Sequence, residues 1–129
     1  MKKRKNPITE SFRYAFEGIW TGICNERNMK IHCLAIIFVT LAGTLFQITA
    51  TQWCICLLLF ALVAALELVN TAIEAVVDLV TEEKKPLAKI AKDTAAGAVL
   101  FAAIISVIIG CIIFLPYVLE LLGKIWYNI

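Results

Sequence analysis

The segment Ala95–Leu119 contains no charged residue. At about 1.5 Å of rise per residue, a helix of this length spans about 37 Å, more than a hydrocarbon core of about 30 Å requires. The segment therefore predicts a transmembrane helix. The composition agrees, because 61% of the 129 residues are hydrophobic and only 17% are charged, against about 45–50% and about 25% in soluble domains. An ordinary soluble domain and a Rossmann-type enzyme are both excluded.

Two further apolar segments precede this one. Ile31–Ala50 is interrupted only by His32 and Gln47, and the uncharged run from Trp53 to Leu66 continues into a more polar stretch. The second run is too short to span by itself, so its continuation is expected to lie partly at membrane depth. The prediction is a single membrane domain over residues 1–129, with transmembrane helices at about 30–49, 52–80 and 90–120.

Apolar residues also recur at helical spacing before the first span. Phe12, Phe16 and Ile19 are separated by polar residues such as Arg13 and Glu17. This pattern predicts an amphipathic helix over about 8–26 that lies on the membrane surface. A cytoplasmic tether is the alternative interpretation of the same segment.

The distribution of basic residues predicts the orientation. Of the 12 Lys and Arg residues, seven precede the first span, four lie between the second and third, and only Lys124 follows the third. The positive-inside rule then places the N-terminus and the 81–92 loop in the cytoplasm and the C-terminus outside. A net charge of +2 is too small to indicate a nucleic-acid partner.

The cysteines and the single histidine do not predict a metal site. No CxxC pair occurs, and His32 has no second histidine to pair with. We expect His32 to be a polar residue at the cytoplasmic end of the first span. We expect small buried hydrophobes rather than disulfides or metal ligands at five positions: Cys24, Cys33, Cys54, Cys56 and Cys111.

Acidic and amide residues are aligned along the second span. Glu67, Asn70, Glu74 and Asp78 occur at i, i+3, i+7 and i+11, which places them on one helical face. An acid within a span costs about 2.5–3.5 kcal/mol on insertion scales, so the alignment predicts a compensating cation, metal or proton. For Asp78, a solvated position beyond the bilayer is an equal alternative.

Carboxylate and amide oxygens without a neighbouring histidine or thiolate favour Mg²⁺ over zinc. Such an ion is usually held by one or two protein carboxylates together with substrate phosphates. Glu26 precedes the first span, and Lys92 and Asp93 begin the third, all on the predicted cytoplasmic side. The pattern is typical of a nucleotide–metal site that faces a lipid substrate.

The run Glu67-x-x-Asn70-Thr71-Ala72-x-Glu74-x-x-x-Asp78 resembles the signature of the prokaryotic diacylglycerol kinase family, which includes undecaprenol kinases of Gram-positive bacteria. The resemblance extends over roughly residues 12–116 and includes Asn25–Asn28, Ala91–Asp93 and Ala95–Leu100. It implies an all-α integral membrane protein of the bacterial cell membrane. It also implies a homotrimer whose active sites are shared between neighbouring subunits.

The resemblance further implies ATP-dependent phosphorylation of a lipid hydroxyl. Glu67 is then expected to be the general base and Asn70 to orient the reacting groups, while Glu26 and Glu74 hold Mg²⁺. Contacts to ATP are expected from Tyr14, Glu26, Glu74, Glu83, Lys84, Lys85, Lys92 and Asp93. Contacts to the lipid are expected from Glu67, Asn28 and Ala96.

One position departs from the family pattern. Enterobacterial members have an arginine near the start that contacts ATP and substrate, whereas this chain has Pro7. Arg13 or Arg4 is the candidate replacement. The segments Glu26–Asn28 and Lys30-x-His32 resemble the Gram-positive members, which favours undecaprenol over diacylglycerol as the substrate.

Two other functions are alternatives to a lipid kinase. A small proton-coupled exporter would bind cationic drugs at an intramembrane glutamate, but it usually has four spans and a mid-membrane acid. A non-catalytic scaffold leaves the aligned acids unexplained.

Overall fold

The computed structural model describes residues 7–127, which form four helices. These are α1 (Pro7–Asn25), α2 (Arg27–Phe46), α3 (Ala50–Val80) and α4 (Pro86–Tyr127). Helices α2, α3 and α4 are long and apolar enough to cross a membrane. The prediction of an all-helical chain with three long apolar helices is therefore confirmed. Arg4, one of the two candidate replacements for the missing arginine, lies outside the described residues.

A tight turn reverses the chain between α2 and α3. Gln47 adopts the left-handed conformation with φ 52°, and its N–H bonds to the carbonyl oxygen of Thr44 at 3.4 Å. Thr49 and Gln52 then form a capping box, in which the Thr49 hydroxyl accepts from the Gln52 N–H and the Gln52 side chain accepts from the Thr49 N–H. This cap starts α3 at Ala50 and brings it back beside α2.

Helices α3 and α4 form the most extensive packing in the chain. The face of α4 that packs inward carries Ala95, Val99 and Ala102, which are buried and recur at intervals of three or four residues. At the turn end of the bundle, the Tyr117 hydroxyl on α4 donates a hydrogen bond to Gln52 Oε1 at 2.8 Å. Gln52 of the α3 capping box therefore also forms a hydrogen bond with α4.

Helix α4 extends beyond the apolar segment from which it was predicted. At 42 residues it is about 63 Å long, about twice the hydrocarbon core. Pro86 begins it, because proline at the first helical position loses no hydrogen bond. Lys89 and Asp93 then pair one turn apart and continue the helix through the charged region.

Large apolar side chains cover the outside of the chain. Phe38 on α2 is 70% exposed and Phe101 on α4 is also 70% exposed. The prediction of buried cysteines holds for Cys56 but is wrong for Cys24, Cys54 and Cys111, which are exposed. Hydrophobic residues face outward here because a bilayer or a neighbouring chain, rather than water, is the medium that covers them.

Candidate active site

Glu67 is the most deeply buried ionisable side chain among residues 7–127. It lies on α3 and is only 1% exposed. Neither of its carboxylate oxygens has a hydrogen-bond partner among the described residues. The nearby Thr71 hydroxyl donates to the backbone carbonyl of Glu67 at 3.0 Å and leaves the carboxylate unpaired. Buried polar groups are nearly always paired in folded proteins, so this carboxylate is the first candidate for a reactive group.

The other members of the aligned face become more exposed towards the end of α3. Asn70 is 5% exposed, Glu74 is half-buried and Asp78 is exposed. The Asn70 amide donates a hydrogen bond to Glu74 Oε1 at 3.0 Å, while Asn70 Oδ1 has no partner among the described residues. The face therefore leads from the apolar interior to the charged end of the helix.

A cavity of about 220 Å³ opens beside Glu67, between α2, α3 and α4. It brings together four of the residues that the sequence singled out. Its walls are formed by Asn28, Ile31, His32, Glu67, Asn70, Ala96, Val99, Leu100 and Ala103. We call this the carboxylate cavity.

His32 is the polar residue of this cavity that the sequence-based site missed. The sequence does contain a signal for its place in the site: His32 follows Asn28 by four residues, and residues at i and i+4 lie on the same face of a helix.

A second and larger cavity lies further along the same three helices. Its volume is about 440 Å³ and its walls are mostly aliphatic and aromatic, including Phe46, Phe60 and Phe114. We call it the apolar cavity. His32 and Ala103 line both cavities, so the two are neighbours. An apolar space that adjoins a small polar pocket is the usual form of a ligand site.

The predicted ATP-binding residues at the charged end of α3 and α4 are engaged in ion pairs. Lys92 Nζ lies 2.5 Å from Asp78 Oδ1 and joins the two helices. Asp93 pairs with Lys89, and Glu83 pairs with Lys85 at 3.5 Å. Pairs as exposed as these contribute at most about 1 kcal/mol. They can therefore be exchanged for another partner at little cost. Lys84 is exposed.

Tyr14 and Glu26 lie in and beside the N-terminal helix. Tyr14 is exposed, and the guanidinium of Arg13 lies 4.9 Å from the centre of its ring. Glu26 is half-buried between α1 and α2 at the N-cap position of α2, but its side chain makes no capping hydrogen bond. Neither residue is part of the carboxylate cavity wall as the structure describes it.

The donor atoms of the site fit Mg²⁺ better than a transition metal. Within residues 7–127, no three His, Cys, Asp or Glu side chains lie close enough together to hold an ion by themselves. Glu74 has one oxygen held by Asn70 and a second that can bind a cation. One or two carboxylates with phosphate oxygens make the usual Mg²⁺ site, and Glu26 and Glu74 could supply them.

The fold and the carboxylate cavity together define a multi-pass membrane protein with an enzyme-like site inside its helices. The family described as prokaryotic diacylglycerol kinase matches residues 13–114. The chain therefore belongs to the prokaryotic diacylglycerol kinase family and is a membrane lipid kinase.

Individual relatives agree with the family match. The undecaprenol kinase of Bacillus subtilis is 48% identical over 111 residues, which cover 86% of this chain and 90% of the relative. The diacylglycerol kinase of Synechocystis is 46% identical over 87% of this chain and 65% of the relative. The diacylglycerol kinase of Escherichia coli K12 is 30% identical over 82% and 87%.

Proposed function

We propose that this protein transfers the γ-phosphate of ATP to the hydroxyl group of a membrane lipid alcohol, with undecaprenol as the substrate in preference to diacylglycerol. The observation that carries the proposal is Glu67, a buried and unpaired carboxylate in a small cavity that adjoins an apolar one. The undecaprenol kinase of Bacillus and the diacylglycerol kinase of Synechocystis are nearly equal in identity to this chain, at 48% and 46%. The choice of lipid therefore rests on the segments Glu26–Asn28 and Lys30-x-His32, which resemble the Gram-positive members.

The chemistry requires a base on the apolar side of the site. A lipid alcohol is a poor nucleophile until its proton is removed, and an ionised carboxylate can only accept a hydrogen bond. In the proposed reaction, Glu67 accepts the hydroxyl proton while the alcohol oxygen attacks the γ-phosphorus. The bond to the β-phosphate oxygen breaks, and ADP leaves. Asn70 keeps Glu74 oriented through their 3.0 Å hydrogen bond.

The remaining requirement is to position ATP and balance its negative charge. Mg²⁺, held by Glu26 and Glu74, would supply charge neutralisation at the phosphates. Lys92 would exchange Asp78 for a phosphate oxygen, since their ion pair is exposed and weak. The other proposed ATP contacts are Tyr14, Glu83, Lys84, Lys85 and Asp93.

We further propose that the protein is a homotrimer in the bacterial cell membrane, with the N-terminus and the active site cytoplasmic and the C-terminus outside. The basic residues before α2 and between α3 and α4 support this orientation. The exposed apolar side chains of α1, including Phe12 and Trp20 at 63% and 69%, support a position on the membrane surface. The apolar faces of α2 and α4 are available to lipid and to neighbouring subunits.

A competition assay tests the proposal. Purified protein is incubated with radiolabelled ATP, Mg²⁺, undecaprenol and diacylglycerol in the same mixed micelles. We expect label in undecaprenyl phosphate. Label in phosphatidic acid instead would overturn the choice of lipid. Electrogenic drug uptake into proteoliposomes without ATP would support an exporter and count against a kinase.

A substitution at the base tests the mechanism. Glu67→Gln should lower lipid phosphorylation by about 10²- to 10⁴-fold, the usual contribution of a general base, while expression and trimer formation persist. Glu120→Gln is the matched control, because Glu120 pairs with Lys124 at 2.7 Å near the C-terminal end of α4, away from the carboxylate cavity. Near-normal turnover by Glu67→Gln would disprove the assignment.

A further inference from the structure

His32 lies where the two cavities of the chain meet. It contributes to the walls of both the carboxylate cavity and the apolar cavity. The other shared residue is Ala103, whose methyl group offers no hydrogen bond. The imidazole is half-buried. Among the described residues, His32 therefore carries the polar side chain of the wall that the two cavities share.

The apolar cavity offers little else to a polar atom. Among the described residues of its wall, the only hydroxyl belongs to Ser106, which already donates to the carbonyl oxygen of Ala102 at 2.8 Å. Cys56 and Cys111 contribute thiols, which are weak hydrogen-bond donors. A hydrocarbon chain fits such walls, and its polar end finds its first strong donor at the imidazole ring.

The two sides of the junction offer complementary groups. An ionised Glu67 has two acceptor oxygens and no donor, whereas an imidazole of either tautomer carries an N–H donor. A hydroxyl group has one proton to donate and two lone pairs that accept. A single alcohol can therefore donate to Glu67 and accept from His32, and its second lone pair remains available to attack phosphorus.

We propose that His32 is a positioning residue for the lipid alcohol: its imidazole N–H donates to the alcohol oxygen while Glu67 accepts the alcohol proton. The hydrocarbon next to the hydroxyl then lies in the apolar cavity. This inference rests on the proposed kinase function and adds the residue that places the acceptor substrate. A prenol suits this arrangement best, because the hydroxyl is its only polar group and the two hydrogen bonds fix the position of that hydroxyl.

The test separates substrate placement from a general effect on the fold. KM values for the prenol and for ATP, together with kcat, are measured for the wild type, His32→Ala and His32→Gln. His32→Ala should raise the KM for the prenol roughly tenfold, as expected for one lost hydrogen bond, with the KM for ATP and kcat at saturating prenol within about twofold of wild type. His32→Gln retains an N–H donor and should recover most of the loss. Cys33→Ala is the matched control, since Cys33 is the next residue of α2 and lies outside both cavity walls.

The outcomes distinguish this inference from the function on which it rests. An active wild type and a His32→Ala variant with the same prenol KM would overturn the role of His32 and leave the kinase proposal intact. A rise in both KM values without recovery in His32→Gln would show a structural role and would also overturn it. Absence of lipid phosphorylation by the wild type would overturn the proposed function and the inference together.

Discussion

The side-chain amide of Asn70 donates a hydrogen bond to Glu74 at 3.0 Å, which holds the Glu74 carboxylate in place. Glu67, on the same face of α3, is buried and its carboxylate has no partner among the described residues. Two carboxylates two turns apart thus have different environments. The held one suits a cation with phosphates, and the unpaired one suits a proton acceptor.

The first prediction concerns the Asn70–Glu74 hydrogen bond. Asn70→Ala releases the Glu74 carboxylate, and residues that orient a metal ligand typically affect metal affinity about 10- to 100-fold. We expect the Mg²⁺ concentration for half-maximal activity to rise by that factor. Val69→Ala is the control, because Val69 is 54% exposed and makes no such bond. A Mg²⁺ titration of activity measures the shift, and an unchanged midpoint for Asn70→Ala would contradict the assignment.

The second prediction is that Glu67 lowers stability. Burying a polar group without a partner costs about 1–3 kcal/mol, and more when it is charged. Glu67→Met should therefore raise the unfolding temperature while it abolishes activity. Glu74→Met is the comparison, because it removes the acceptor of the Asn70 hydrogen bond and should not stabilise the protein. Thermal unfolding followed by tryptophan fluorescence measures both, and a lower unfolding temperature for Glu67→Met would refute the prediction.

The third prediction concerns Lys92, whose ammonium group joins α4 to Asp78 on α3. Lys92→Gln should raise the KM for ATP about tenfold, because a hydrogen bond to a charged group contributes about 1.5–3 kcal/mol. It should change stability by less than about 1 kcal/mol, since the pair is exposed. Lys124→Gln breaks a similar pair with Glu120 and is the control. Equal KM values for ATP in the two variants would rule out a role for Lys92 in nucleotide binding.

The fourth prediction concerns the contact between α1 and α3. A Cβ atom on Gly22 would lie 2.6 Å from Leu68 Cδ2, so the absence of a side chain lets α1 approach the residue that follows Glu67. Gly22→Leu overpacks this contact and should destabilise the protein by about 1–3 kcal/mol. Kinase activity should fall with it.

Two variants keep that prediction specific. Gly18→Leu is the matched control, because a Cβ there has no atom of another described helix within 4 Å. Leu68→Ala in the Gly22→Leu background should restore part of the stability and activity by making room. Failure of the second substitution to restore either property would show that the Gly22–Leu68 contact does not position α1.

The fifth prediction separates stability from activity. Tyr117→Phe removes the hydrogen bond to Gln52 at the turn end of the bundle, which should cost about 1 kcal/mol. Because the carboxylate cavity has neither residue in its wall, the KM values for ATP and lipid should not change. Tyr127→Phe is the control, since Tyr127 is 91% exposed. A shift in either KM for Tyr117→Phe would indicate coupling between the two ends of the bundle.

Hydrophobic periodicity was sufficient to predict the helical character of the chain. The uncharged run Ala95–Leu119 predicts a helix, because its backbone N–H and C=O groups find no water in a bilayer and a helix pairs them all within one segment. The spacing of Glu67, Asn70 and Glu74 likewise placed them on one face, because that follows from the helical period alone. Helix α4 runs from Pro86 to Tyr127, beyond both ends of the transmembrane span predicted at about 90–120. Hydropathy does not predict such extensions, since charged pairs such as Lys89–Asp93 extend a helix without adding hydropathy.

The sequence did not predict which residues of different helices contact each other. Asn28, His32 and Ala96 lie on α2 and α4, and only the packing of these helices against α3 brings them to the cavity that contains Glu67. Periodicity indicates which face of a helix is apolar but not which residue of the next helix it meets. The sequence by itself thus determined the helices and the acidic face of α3. The tertiary structure decided that Glu67 is buried without a partner and that His32 stands between a polar and an apolar cavity, because burial and shared walls depend on how separate helices pack.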